Sequence, residues 1–128
     1  MADLDAHLEV AKAYCEASRA GDAEAFVALA APTAVVWHNT DDTEEPLTST
    51  AKALTWLHKA VPDVAWTDKA LIATADGFLW RAVLTGTPSA GRLEAQTCVV
   101  VTLSEDLLIV RIDEYLDPSQ TKVLSASA

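Results

Sequence analysis

The sequence predicts an α+β fold in which a curved antiparallel sheet packs on helices from the N-terminal half. Two observations predict it. Segments with helical spacing, caps and stops fill residues 3–60, and period-two runs rich in β-branched and aromatic residues fill residues 64–116. Helices first and strands second place the two element types in separate layers, with the helices on one face of the sheet. A curved sheet closing over helices leaves a concave interior, which is where a ligand would go.

The elements follow in order. From Asp3 to Ala20, Leu4, Leu8, Ala11, Cys15 and Ser18 form one helical stripe, with Val10 and Tyr14 beside it. Asp3 suits the N-cap of this helix, and Gly21 suits a left-handed C-terminal stop. Asp22 reads as the cap of a short helix from Ala23 to about Ala30 that turns Phe26 and Leu29 inward and is stopped by Pro32. Ala34 to His38 has the content of a short strand. A further helix is expected from about Ser49 to Ala60, capped by Ser49 or Thr50, carrying Leu54, Leu57 and Val61, and closed by Pro62. Four strand-like runs come next: Val64–Thr74, Phe78–Thr87, Leu93–Leu103 and Leu107–Leu116. The breaks Asp76-Gly77, Pro88 to Gly91 and Ser104 to Asp106 are each short enough for a hairpin.

The 128 residues are read as one domain, residues 1–128, with 51% hydrophobic content, enough for a core without disulfides or metal. Net charge is −10 and the pI about 4.5, a surface that repels phosphates and so disfavours nucleic acid and anionic membranes as partners. No apolar run approaches the roughly 20 residues of a membrane span. The acidic, helix-patterned start does not read as a signal peptide. Cys15 and Cys98 fall in segments that read as buried, which suits a reducing cytoplasm.

Strand alternation sets Val110, Ile112, Glu114 and Leu116 on one face and Arg111, Asp113 and Tyr115 on the other. A carboxylate among aliphatics is costly unless paired or neutral, and desolvation raises its pKa toward acid–base use. Arg81 is a possible partner for Glu114 or Asp113, or a surface residue of an interface. The loop Asp41–Glu45 lacks the glycine and spaced ligands of a calcium loop, no zinc set accompanies it, and it reads as a solvated pocket rim. No metal and no organic cofactor is expected.

Four stretches carry a resemblance. "AYCEASRAGDAEAFVALAAPTAVVWHN" resembles the opening of the nuclear transport factor 2-like superfamily, "FLWRAVLTGT" and "RLEAQTCVVVTL" resemble its central strands, and "LIVRIDEYLDPSQ" resembles the last strand of its SnoaL-like members. The resemblance implies a cone-shaped barrel of the cystatin-like roll type, a deep pocket and a homodimer paired across the sheet. The superfamily includes steroid isomerases, polyketide cyclases, epoxide hydrolase-like and dehydratase-like enzymes, and members without catalysis.

By this resemblance His38 stands where the isomerases carry their carboxylate base, and Glu114 where epoxide hydrolase-like members place a catalytic carboxylate. The arginine–aspartate pair of the latter is not recognisable in "RLEAQTCVV". Tyr14 matches a helix-borne tyrosine beside the isomerases' oxyanion site, whose aspartate is replaced here by Thr97 or Cys98. His38, Glu114 and Tyr14 are therefore the candidate catalytic residues, and Trp37, Trp56, Trp80, Cys98, Val110 and Ile112 the candidate substrate contacts. Two functions fit: a cofactor-free acid–base enzyme acting on a small hydrophobic, ring-containing molecule, or a non-catalytic binding or association module of the same fold.

Overall fold

The computed structural model describes residues 3–127. It contains helix α1 (Leu4–Ala20), helix α2 (Ala23–Ala28), strand β1 (Ala30–His38), strand β2 (Thr43–Pro46) and helix α3 (Leu47–Ala60). Strands β3 (Ala65–Thr74), β4 (Gly77–Gly86), β5 (Leu93–Leu103) and β6 (Ile109–Leu116) and helix α4 (Pro118–Ala126) complete it. The fold is α+β: one six-stranded curved sheet packs on the N-terminal helices. Among the described residues no helix is long and apolar enough to cross a membrane.

The sheet order is β2-β1-β6-β5-β4-β3. Consecutive strands β3 to β6 form an antiparallel meander, as their short breaks require. β1, however, joins β6 in parallel, so the sheet is mixed rather than purely antiparallel. A parallel neighbour needs a long connection, and the segment from α3 through β5 supplies it. The strongly alternating β4 buries Phe78, Trp80, Ala82 and Leu84 against the helices. From β5, Val99, Val101 and Leu103 join this layer, and from β6, Ile109 and Ile112.

Helix α1 begins at Asp3, whose carboxylate accepts from the Ala6 backbone N–H, and stops at Gly21 with φ 65°. Its inner face differs from the expected stripe at one end. Leu4 is exposed, while His7 is buried with its Nδ1 2.8 Å from the Thr74 carbonyl. α2 ends at Ala28, before Pro32. The proline lies inside β1, at the register shift between Ala30 and Val35, where no regular ladder bond is asked of it. α3 starts two residues before Ser49, with Pro46 preceding it and no side-chain cap, so neither Ser49 nor Thr50 is a cap. Leu107 adopts a left-handed φ of 64° in the β5–β6 turn, and β6 therefore begins at Ile109 rather than at Leu107.

Three glycines, Gly21, Gly77 and Gly86, leave no room for a Cβ without a shift of their neighbours. A Cβ on Gly77 would lie 2.0 Å from the Val101 carbonyl oxygen, and one on Gly21 would lie 2.5 Å from the His58 ring. His58 is held there by Nε2, 2.9 Å from the Ser18 carbonyl. Gly21→Ala combines a left-handed alanine with that clash. The variant is expected to lose about 2 kcal/mol or more of unfolding free energy, measured by urea titration.

Candidate active site

The candidate site is built by strand register. Trp80 of β4 stands opposite Val99 of β5, Val99 opposite Glu114 of β6, and Glu114 opposite His38 of β1. Side chains at paired positions share a face, so these four form one row across the concave surface. All four line a cavity of about 510 Å³ enclosed by the sheet, α1, α2, α3 and α4. Tyr14, Phe26, Trp56 and Trp66 add aromatic wall, and Thr40, Glu45 and Thr50 lie on the side of β2 and α3.

His38 and Glu114 face each other with Nδ1 3.6 Å from Oε1, an ion-pair rather than a hydrogen-bond separation. Both side chains keep about a quarter of their surface open, 24% and 27%, and both line the cavity. Burial raises the Glu114 carboxyl above the ordinary carboxylate range, and the neighbouring His38 opposes that shift. Tyr14 packs edge-on to Trp80 at 5.9 Å between ring centroids and also contacts Phe26 and Phe78. Burial, then the charge of Glu114, pushes its phenol further up, so it remains an O–H donor at neutral pH.

The three histidines separate cleanly. His7 and His58 each direct a ring nitrogen at a backbone carbonyl and are structural. His38 does not. Its Nδ1 meets Glu114, and its buried Nε2 has no hydrogen-bond partner among the described residues; Thr50 Oγ1 is in the same condition on the same cavity wall.

Neighbouring groups hold this arrangement. Past the end of β1, the Asn39 side chain continues the ladder: Oδ1 accepts from Leu116 N–H at 2.9 Å and Nδ2 donates to the Leu116 carbonyl at 3.1 Å. The Asn39 backbone N–H donates to the Glu114 carbonyl at 3.1 Å. On the other wall Trp80 Nε1 donates to Asp68 at 2.8 Å, and Asp68 pairs with Arg19, whose guanidinium lies 5.5 Å from the Trp80 ring.

Several expected contacts lie elsewhere. Trp37 is on the outer face of the sheet, bonded through Nε1 to Asp42 and stacked edge-on against Tyr115. It neighbours His38 in the strand, so it must point the opposite way. Cys98 is likewise outward, beside Arg81 and Tyr115 in a shallow outer depression, because its neighbour Val99 points in. Its thiol is raised by burial. Ile112 is buried in the core below Glu114 and does not line the cavity. Val110 falls at the irregularity of β6 opposite Thr102 and Leu103, which takes it out of phase with Glu114. Thr97, by contrast, does line the cavity, its hydroxyl donating to the Ala82 carbonyl.

Arg81 pairs with neither Glu114 nor Asp113. Arg111 takes that place, joining Asp113 at 2.9 Å to Glu44 of β2. The acidic stretch is a turn at Asp41 and Asp42 followed by strand β2 rather than one loop: Asp41 accepts from Thr43, and Asp42 turns with φ 54°. Thr40 and Glu45 alone of that stretch reach the cavity. No three His, Cys, Asp or Glu side chains among the described residues converge as a metal-binding group.

Sequence reasoning missed Thr50, Glu45 and the contribution of α4, whose Pro118, Thr121, Leu124 and Ser125 cover part of the cavity. The Asp117-Pro118 pair was the available signal for α4: Asp117 accepts from Ser119 N–H and Pro118 takes the first turn.

The SnoaL-like domain model matches residues 11–112, and the chain belongs to that family. A comparison with curated proteins finds no match. Among solved structures, PrhC from Penicillium brasilianum superposes with a TM-score of 0.82 at 16% identity, covering 96% of this chain and 90% of its own. An LEH-like epoxide hydrolase from M. tuberculosis gives 0.74 at 16% identity, with 97% and 92% covered. A cystatin-fold protein from Novosphingobium aromaticivorans gives 0.73 at 21% identity, with 89% and 97% covered. At these identities the likeness is one of fold.

Two outcomes test the site's electrostatics. Because burial raises the Glu114 pKa, its neutral form favours folding, and that contribution is lost as pH rises through the folded pKa. Glu114→Gln should therefore melt higher than the parent at about pH 8, with the gap closing toward about pH 5, by calorimetry. Asn39→Ala should lower unfolding free energy by about 1 kcal/mol at either pH, since it removes two hydrogen bonds and no titrating group.

Proposed function

We propose that this SnoaL-like protein is an enzyme that moves protons on a small hydrophobic, ring-containing molecule, in an isomerisation, cyclisation, dehydration or hydration. The observation that carries this reading is the in-register placement of His38 and Glu114 on the wall of one largely apolar cavity. Burial raises the Glu114 carboxyl, and the neighbouring His38 opposes that shift.

The chemistry follows from the geometry. Glu114, its carboxyl raised by burial, carries the exchangeable proton, and the His38 ring stands 3.6 Å from it. The pair in its basic state removes a proton from one substrate atom; in its acidic state it returns the proton to another. Glu114 is the member whose carboxyl meets the substrate, since His38 Nε2 is buried and its Nδ1 is directed at Glu114. His38 stabilises the charge that forms beside it. Tyr14, kept neutral by burial, donates to an oxygen that gains negative charge. Trp56, Trp66 and Trp80 give flat apolar area against a ring.

The reaction class can be tested on surrogate compounds. Cyclic ketones are incubated with the protein in heavy water, and uptake of deuterium beside the carbonyl is followed by mass spectrometry. The parent should accelerate uptake for at least one ring system, and His38→Ala and Glu114→Gln should each lower the rate by about 10²–10⁴-fold with the circular dichroism spectrum unchanged. Full activity in both variants would sink the mechanism. A ligand retained unchanged, with no exchange on any ring system, would instead favour a binding module of the same fold.

A further inference from the structure

The cavity is unevenly charged. Its lining carries two carboxylates, Glu114 in the central row and Glu45 on the β2 side, and among the described residues no lysine or arginine. The Arg19 guanidinium, 5.5 Å from the Trp80 ring, is tied to Asp68 and is not part of the lining. Five aromatic side chains, Tyr14, Phe26, Trp56, Trp66 and Trp80, face the same space. Beyond the cavity the chain as a whole carries a net charge of −10.

We infer that the ligand of this cavity is a ring compound bearing a cationic nitrogen, an amine or quaternary ammonium, rather than a carboxylate, a phosphate ester or an uncharged hydrocarbon. The inference deepens the reading above and rests on the same placement of Glu114. Aromatic faces attract cations through their quadrupoles, most strongly where water is excluded, and the pull is largest for indole. Glu114 has a histidine but no lysine or arginine beside it in this wall, and a ligand ammonium supplies a full counter-charge to its carboxylate. Anionic ligands meet neither a positive side chain in the wall nor a favourable field on approach.

The groups facing Glu114 are few. His38 comes from β1, the Tyr14 phenol from α1 and Glu45 from β2 at the cavity edge. β5 presents Val99 and Thr97, and α3 and α4 present only hydroxyl-bearing and apolar side chains. Arg111 and Asp113 are on the opposite face of β6. Without ligand, burial favours the neutral carboxyl. A bound cation favours the carboxylate, so binding should release a proton and strengthen as pH rises.

The experiment uses tryptophan fluorescence, since three of the four tryptophans line the cavity. Benzyltrimethylammonium is titrated beside neopentylbenzene, its uncharged carbon analogue of the same shape, and beside 3-phenylpropanoate. The ammonium should bind at least about tenfold more tightly than the carbon analogue, and the phenylpropanoate most weakly. The preference should grow as pH rises, and calorimetry in buffers of different ionisation enthalpy should register proton release on binding. Glu114→Gln should cut the preference to a few-fold at any pH, whereas Glu45→Gln should lower it slightly and only at low salt.

Equal or tighter binding of the carbon analogue overturns the inference. So does a preference that survives Glu114→Gln undiminished, or tightest binding by the anion. The two readings fail separately. Loss of deuterium exchange in Glu114→Gln without any cation preference leaves the acid–base function standing and removes the cationic ligand. Cation preference with no exchange on any ring system does the reverse.

Discussion

The parallel pairing of β1 with β6 is the constraint on which the site depends. It is the one parallel contact in the sheet, and its register sets His38 beside Glu114. A slip of β1 by one residue would turn His38 to the outer face while Glu114, held against Val99 of β5, stayed on the inner one, because the side-chain period of a strand is two. Asn39 guards against that slip by continuing the ladder with its own amide after β1 has ended. The ladder across β6 and β5 then brings Val99 and Trp80 into the same row. A pair of titratable groups and an aromatic wall are thus fixed by backbone hydrogen bonds rather than by contacts of the groups themselves.

The two walls of the cavity are held by different means. On the β4 side, Tyr14, Phe26, Phe78 and Trp80 interlock as tilted and edge-to-face rings, with Trp80 further fixed by Asp68. That wall is a direct extension of the core. On the β1 side the supports are polar: the Asn39 ladder, the Asp41–Thr43 turn and the Arg111 bridge from Asp113 to Glu44. Arg111 ties the exposed edge strand β2 to β6 from the outer face and leaves the inner face free for Glu114. Opposite faces of β6 therefore differ, ion pairing outside and the cavity wall inside.

Burial sorts the titratable groups by use. Cys15, pushed up to about 12 mainly by burial, is an inert core thiol. Glu114 is also raised by burial, but it opens on a cavity and has a histidine as its neighbour. Desolvation alone thus does not single out a candidate group; desolvation with access to a ligand-sized space does.

Much of this was legible in the sequence. Asp3 and Gly21 bound α1 because capping chemistry is local, and β3 to β5 are bounded by Gly and Pro breaks that act over a few residues. The row containing Glu114 was readable from alternation in β6, since a lone carboxylate among aliphatics stands out. β2 was not, because its four residues are all exposed and carry no apolar phase. α4 buries no residue and has no apolar stripe, so only its Asp-Pro start announces it. Trp37 could have been placed outward from its adjacency to His38, whereas the uniformly apolar stretch around Cys98 hides which residues face in. What the sequence by itself determined is the local propensity and the face of each strand. Which strands became neighbours, and hence that His38 meets Glu114 while Arg81 meets neither, only the tertiary structure decided, because pairing joins residues some 76 positions apart through hydrogen bonds that carry no side-chain signature.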